Sequence, residues 1–141
     1  MSHTEHIHAD PRAPVGPLRL REAGGELLAV AAVAADGRAS RTLTLPAAYP
    51  LRQTLFALLE GRQQRDPHCQ GSVTLQVLAG KVRCTTPHGA WDVATGGWSA
   101  LPAGPWGIEA RTDAVVMVTT ASQRALVSAE PPYDSVGARG A

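Results

Sequence analysis

RDPHCQGSVTLQVLAGKVRC, running from Arg65 to Cys84, carries the pattern that decides the fold. Within it SVTLQVLA alternates. Val73, Leu75 and Val77 fall on one face and Thr74, Gln76 and Leu78 on the other, the period of two of a strand with one buried side. Gly80 then gives a tight reversal into KVRCTT, so the stretch reads as a hairpin with Val73 and Gln76 on opposite faces. Just upstream, His68 and Cys69 enter a turn and look like the start of a metal pocket.

The same rhythm extends in both directions. LLAVAAVA, SRTLTL, GAWDVAT, GGWSALPA and GIEARTDAVVMVTT read as further short strands, separated by Gly, Pro or Asp-Gly signals. Eleven prolines and 14 glycines favour short elements joined by turns over long helices. LRQTLFALLEG fits a strand or a helix. Residues 1–17 read as a flexible arm rich in Pro and His, 18–127 as one barrel domain and 128–141 as a tail. Many short antiparallel strands at regular spacing indicate an all-β sandwich or barrel, and 141 residues suffice for one core.

Composition narrows the function classes. A formal net charge of +1 gives no field that would hold nucleic acid, and no Lys/Arg run marks an anionic membrane surface. The longest apolar run, LLAVAAVAA from Leu27, has nine residues, too few for a bilayer crossing. The polar start MSHTEHIHADPRAP lacks the apolar region of a signal peptide. Cys69 and Cys84 make no disulfide framework. A soluble, cytoplasmic protein is expected.

The central segment, from about Leu43 to Thr120, resembles the small single-domain cupins, a family of jelly-roll β-barrels. LRQTLFALLEG, VTLQVLAGKVRC and WDVATGGWSALPAGPWGIEARTDAVVMVTT carry the resemblance. Gly61 and Gly80 match the two glycines of the first family motif, and Gly96, Pro102 and Gly104 match the framework of the second. The resemblance implies a cupin-like barrel, a pocket inside it and a homodimer that covers exposed strand edges and the apolar run near Leu27. Counted along the family pattern, the metal-ligand positions fall on Pro67, Cys69, Val73 and Gly107, of which only Cys69 has a donor side chain. No family-type metal and no cofactor is therefore expected. His68 lies one place from a ligand position. Cys84 with His88 forms a weak second cluster. His3, His6 and His8 are a trap for column metal.

The expected ligand pocket then comprises Cys69, Val73, Trp106, Gly107 and Arg111. If Gly107 faces inward, alternation brings Glu109 and Arg111 to the same side, an acid and a base in a partly apolar cavity. The plainer reading of that pair is a surface ion pair at a strand end. Glu109 and His68 are the candidates for general acid–base catalysis. His68 beside Cys69 would favour a thiolate if a turn brought them together. Trp106 would floor or cap a cavity for an organic ligand. The leading expectation is a metal-independent, cupin-like protein that binds a small organic molecule in its barrel. The alternatives are a cyclase, dehydratase or isomerase of the same fold, and a metal-dependent enzyme with an atypical ligand set.

Overall fold

The computed structural model describes residues 5–8, 16–43, 45 and 49–121, the first four by their backbone alone. In chain order the elements are β1 (Glu5–His8), α1 (Leu20–Val33), β2 (Arg38–Thr42), β3 (Leu51–Leu58), β4 (Gln63–Asp66), β5 (Ser72–Ala79), β6 (Lys81–Thr86), β7 (Gly89–Ala94), β8 (Trp98–Leu101), β9 (Trp106–Ala110) and β10 (Ala114–Ala121). They form a six-stranded sheet in the order β1-β2-β3-β10-β5-β8 and a four-stranded sheet in the order β4-β9-β6-β7. β1 runs parallel to β2, so part of the expected arm joins the sheet. Every other pairing is antiparallel. His3 and the expected tail, 128–141, lie outside the described residues.

The alternation in β5 sets the main core. Val73, Leu75 and Val77 are buried, and Gln76 is exposed on the other face. They pack with Val82, Cys84 and Ile108 from the four-stranded sheet and with Leu58, Val116 and Val118 from the neighbouring strands. The two sheets thus close over one apolar interior. Arg38 ties them at one edge. Its Nη1 donates to the Gln63 carbonyl at 2.8 Å, and its Nη2 pairs with Asp36 Oδ2 at 3.3 Å.

A second apolar layer lies on the outer face of the six-stranded sheet, and here one expectation is overturned. LLAVAAVA is not a strand: it is the C-terminal part of α1. Ala, Leu and Glu dominate LREAGGELLAVAAV, which suits a helix. Ala23, Leu27 and Ala31 recur every four residues and are buried against Leu55, Ala57, Val115 and Met117. The apolar run near Leu27 is therefore covered by the chain's own sheet and offers no dimer face. LRQTLFALLEG contains β3, whose Leu55 faces the helix while Leu58 faces the barrel. GIEARTDAVVMVTT is two strands, β9 and β10, with Arg111–Asp113 between them. Among the described residues no helix is long and apolar enough to cross a membrane.

Candidate functional site

The outer face of the four-stranded sheet is built by cross-strand register. Arg65 on β4 and Thr85 on β6 lie on either side of Gly107 on β9, and Gln63 and Arg83 likewise flank Glu109. Since alternate residues share a face, these odd-numbered positions all point away from the core. Gly107 has no side chain, so a notch opens in the middle strand. A β-carbon built there would meet only Arg65 Cγ at 3.4 Å and the Gln64 carbonyl oxygen at 3.8 Å.

The notch lies in a groove of about 330 Å³. Pro67, Pro87 and Pro105 give it an apolar end, while Gln63, Arg65, Thr85 and Glu109 give it polar walls. Arg65 Nε donates to Gln63 Oε1 at 3.1 Å, which orients the guanidinium along β4. Glu109 is partly exposed and its Oε1 lies 3.6 Å from Arg111 Nη1. The groove thus offers a cation, a carboxylate, a hydroxyl and proline faces over a glycine floor, a set suited to a small organic molecule with an apolar body and a polar head.

The inward face of β9 differs from the expected one by a residue. Trp106, Ile108 and Ala110 are buried, whereas Gly107, Glu109 and Arg111 face outward. The Pro102–Pro105 turn delivers the chain to β9 so that even numbers enter the core, and the inward place next to the expected Gly107 belongs to Trp106. Glu109 and Arg111 form the surface ion pair of the plainer reading. The expected pocket therefore divides. Val73 and Trp106 are core, Cys69 packs against that core, Gly107 opens the outer groove, and Arg111 lies outside the groove lining.

His68 is exposed, and its backbone N–H donates to Asp66 Oδ1 at 3.2 Å. Cys69 is partly buried, with its thiol 3.8 Å from the Gly71 carbonyl oxygen. Cys84 is buried and His88 exposed, so the second sequence cluster does not converge. The donor chemistry of the inward positions does not fit a metal ion. Cys69, Val73 and Trp106 offer one thiol, an alkyl group and an indole, against the three or so N, O or S ligands such a centre requires. Among the described residues no three His, Cys, Asp or Glu side chains gather.

Burial holds the Cys84 thiol protonated, raising its pKa from 9.0 to about 11, with the Asp92 carboxylate adding to the shift. In the unfolded chain this thiol ionises first, so between pH 9 and 11 the native state binds more protons and stability falls as pH rises. Below pH 9 the contribution is constant. The loss should approach about 1.4 kcal/mol per pH unit in that window. Urea denaturation at pH 8 and pH 10.5 should show a larger fall for the wild type than for Cys84→Val. Equal falls would place the alkaline sensitivity elsewhere.

Sequence reading missed the walls of the groove: Gln63, Arg65, Thr85 and the prolines. QQRD has no apolar residue to reveal the alternation of β4, and only its pairing with β9 shows which side chains share a face.

No family model and no curated protein matches the chain. Solved structures do. A cupin superfamily protein from Desulfitobacterium hafniense aligns with a TM-score of 0.54 at 16% identity, over 61% of this chain and 78% of its own. A Cupin 2 conserved barrel domain protein from Salinispora arenicola aligns with a TM-score of 0.56 at 9% identity, over 66% and 82%. A salicylate 1,2-dioxygenase from Pseudaminobacter salicylatoxidans aligns with a TM-score of 0.59 at 19% identity, over 77% of this chain and 35% of the enzyme. The fold of this chain is therefore a cupin-like jelly-roll barrel.

Proposed function

We propose that this cupin-fold chain is a metal-independent binding protein that takes a small organic molecule in the outer groove beside Gly107. The observation that carries this reading is the placement of Trp106. It is 6% exposed at the inward position of β9, packed with Val73 and Ile108, while the open volume lies on the opposite face of the same strand. Arg65 supplies the cation that selects an anionic head group, and the three prolines bind the apolar body. Binding inside the barrel, the first expectation, would require displacing well-packed core side chains.

A second reading keeps the same groove and adds chemistry. Glu109 lines it and is the one carboxylate among its walls, so it would carry proton transfer if the ligand is also a substrate. The dioxygenase neighbour does not weigh on this choice, because the likeness at 19% identity is one of fold.

The test is a small-molecule screen by thermal shift on the untagged full chain, purified without a metal column and assayed for metal content. Gly107→Val serves as the control. Valine suits a strand and fills the notch. Hits should be organic anions that lose at least tenfold in affinity on Gly107→Val, with the melting temperature of the free protein unchanged or raised. Ligands indifferent to Gly107→Val would sink the groove. A tightly held stoichiometric metal would sink metal independence. Turnover abolished by Glu109→Gln would establish the second reading.

A further inference from the structure

α1 covers only part of the six-stranded sheet's outer face. One row of side chains crosses that face through Trp98, Gln76, Met117 and Leu55, each opposite the next in register. The helix reaches Leu55 and Met117 and stops short of Trp98, which remains 64% exposed. Between them lies a second groove of about 280 Å³, with Leu18, Leu20, Leu43 and Met117 as its apolar walls and Gln53, Thr74, Gln76 and Thr119 as polar ones. By alternation along β3, Leu51 extends the same face, and it too is exposed.

We infer that this face docks a second copy of the chain, with the Trp98 of each copy seated in the groove of the other. The choice of occupant rests on two features. The protruding indole and the concave groove share one face, so a two-fold axis satisfies both at once, the self-complementarity that an isologous interface requires. In addition, the groove lining contains no Asp, Glu, Lys or Arg. Two copies therefore meet without like-charge repulsion, and their Gln and Thr side chains can pair across the contact. An exposed tryptophan beside an apolar groove is the usual centre of such a contact. This interface replaces the one expected at the run near Leu27, and it is independent of the ligand groove on the other sheet.

Sedimentation velocity of the full chain over a concentration series tests the inference, together with tryptophan fluorescence. The wild type should pass from monomer to dimer with a blue shift in emission as Trp98 leaves water. Trp98→Glu should weaken the dimer about 30-fold or more. Trp98→Phe should keep the dimer and lose the shift, because Trp91 and Trp106 already pack against the core. Three results overturn the inference: a wild type that stays monomeric throughout, a dimer that Trp98→Glu leaves intact, or a monomer in which Trp98 is already shielded from an aqueous quencher. The last assigns the groove to another part of the same chain.

Discussion

Trp106→Ala should lower the stability of the chain by about 3–5 kcal/mol, the cost of removing a large buried aromatic and leaving a cavity. Trp106 packs among Val73, Leu101 and Ile108 at the level where β4 and β9 meet, and only 6% of its surface reaches solvent. Its indole N–H is buried without an acceptor. Leaving such a donor unsatisfied costs about 1–3 kcal/mol. The native residue is therefore a packing group with a built-in penalty, and Trp106→Phe should reveal it. Phenylalanine loses some area and also sheds the orphaned donor, so it should fall within about 1 kcal/mol of the wild type.

Equilibrium urea denaturation gives both values, and the denaturant slope should stay constant if only stability changes. A Trp106→Ala cost below about 1 kcal/mol would mean that Trp106 does not fill the barrel. The alanine variant also tests why the interior is closed. The vacated space is lined by apolar side chains, the kind of cavity that stays dry and accepts small aromatics. Free indole should raise the melting temperature of Trp106→Ala and leave the wild type unaffected. That result would show one side chain separating a packed barrel from one with an interior binding site. Indole raising both proteins equally would point to another site.

The sequence made the barrel legible where one face of a strand is apolar and the other polar. β5 is the clearest case: its Val-x-Leu-x-Val alternation fixed both the strand and the burial of Val73. Two other segments misled for different reasons. In LLAVAAVA the alanines make every face small and apolar, so the period of two and that of 3.6 fit equally well. The deciding residues lie upstream, since Ala23 begins the four-residue spacing that runs through Leu27 to Ala31. β9 was recognised as extended, but its facing was inferred from a family count across the Pro102–Pro105 turn. A single residue in such a turn exchanges the two faces of the following strand. That exchange moved Glu109 and Arg111 from an imagined cavity to the surface and placed Trp106 in the core. The groove was beyond reach for a related reason: its floor is a missing side chain, and its walls come from three strands that only tertiary register brings together.

Gly80 and Gly61 answer the same family pattern, yet their substitution by alanine should have very different effects. Both have left-handed backbones, with φ of 84° and 86°, and for a residue with a β-carbon that conformation alone costs about 1–2 kcal/mol. At Gly61 nothing lies within 4 Å of the added carbon, so Gly61→Ala should cost only that strain. At Gly80 the added carbon would clash with the Asp113 carbonyl oxygen and would lie 2.9 Å from the Ala114 Cα and from Thr112 Oγ1. Two of these are backbone atoms, at the start of β10, the strand that pairs with both β3 and β5. Relieving the clash means shifting the β5–β6 turn away from β10 or bending β10 at its first residue. The Lys81 N–H bond to Thr112 Oγ1 and the Arg111 N–H bond to the Lys81 carbonyl would be lost in either case. Gly80→Ala should therefore cost about 4 kcal/mol or more, a loss that reaches the lower part of the usual stability range of a domain. Thermal melts of the two variants side by side would decide it. Similar small losses would mean that the Gly80 turn has room to move and that the close approach of β10 does not hold the hairpin in place.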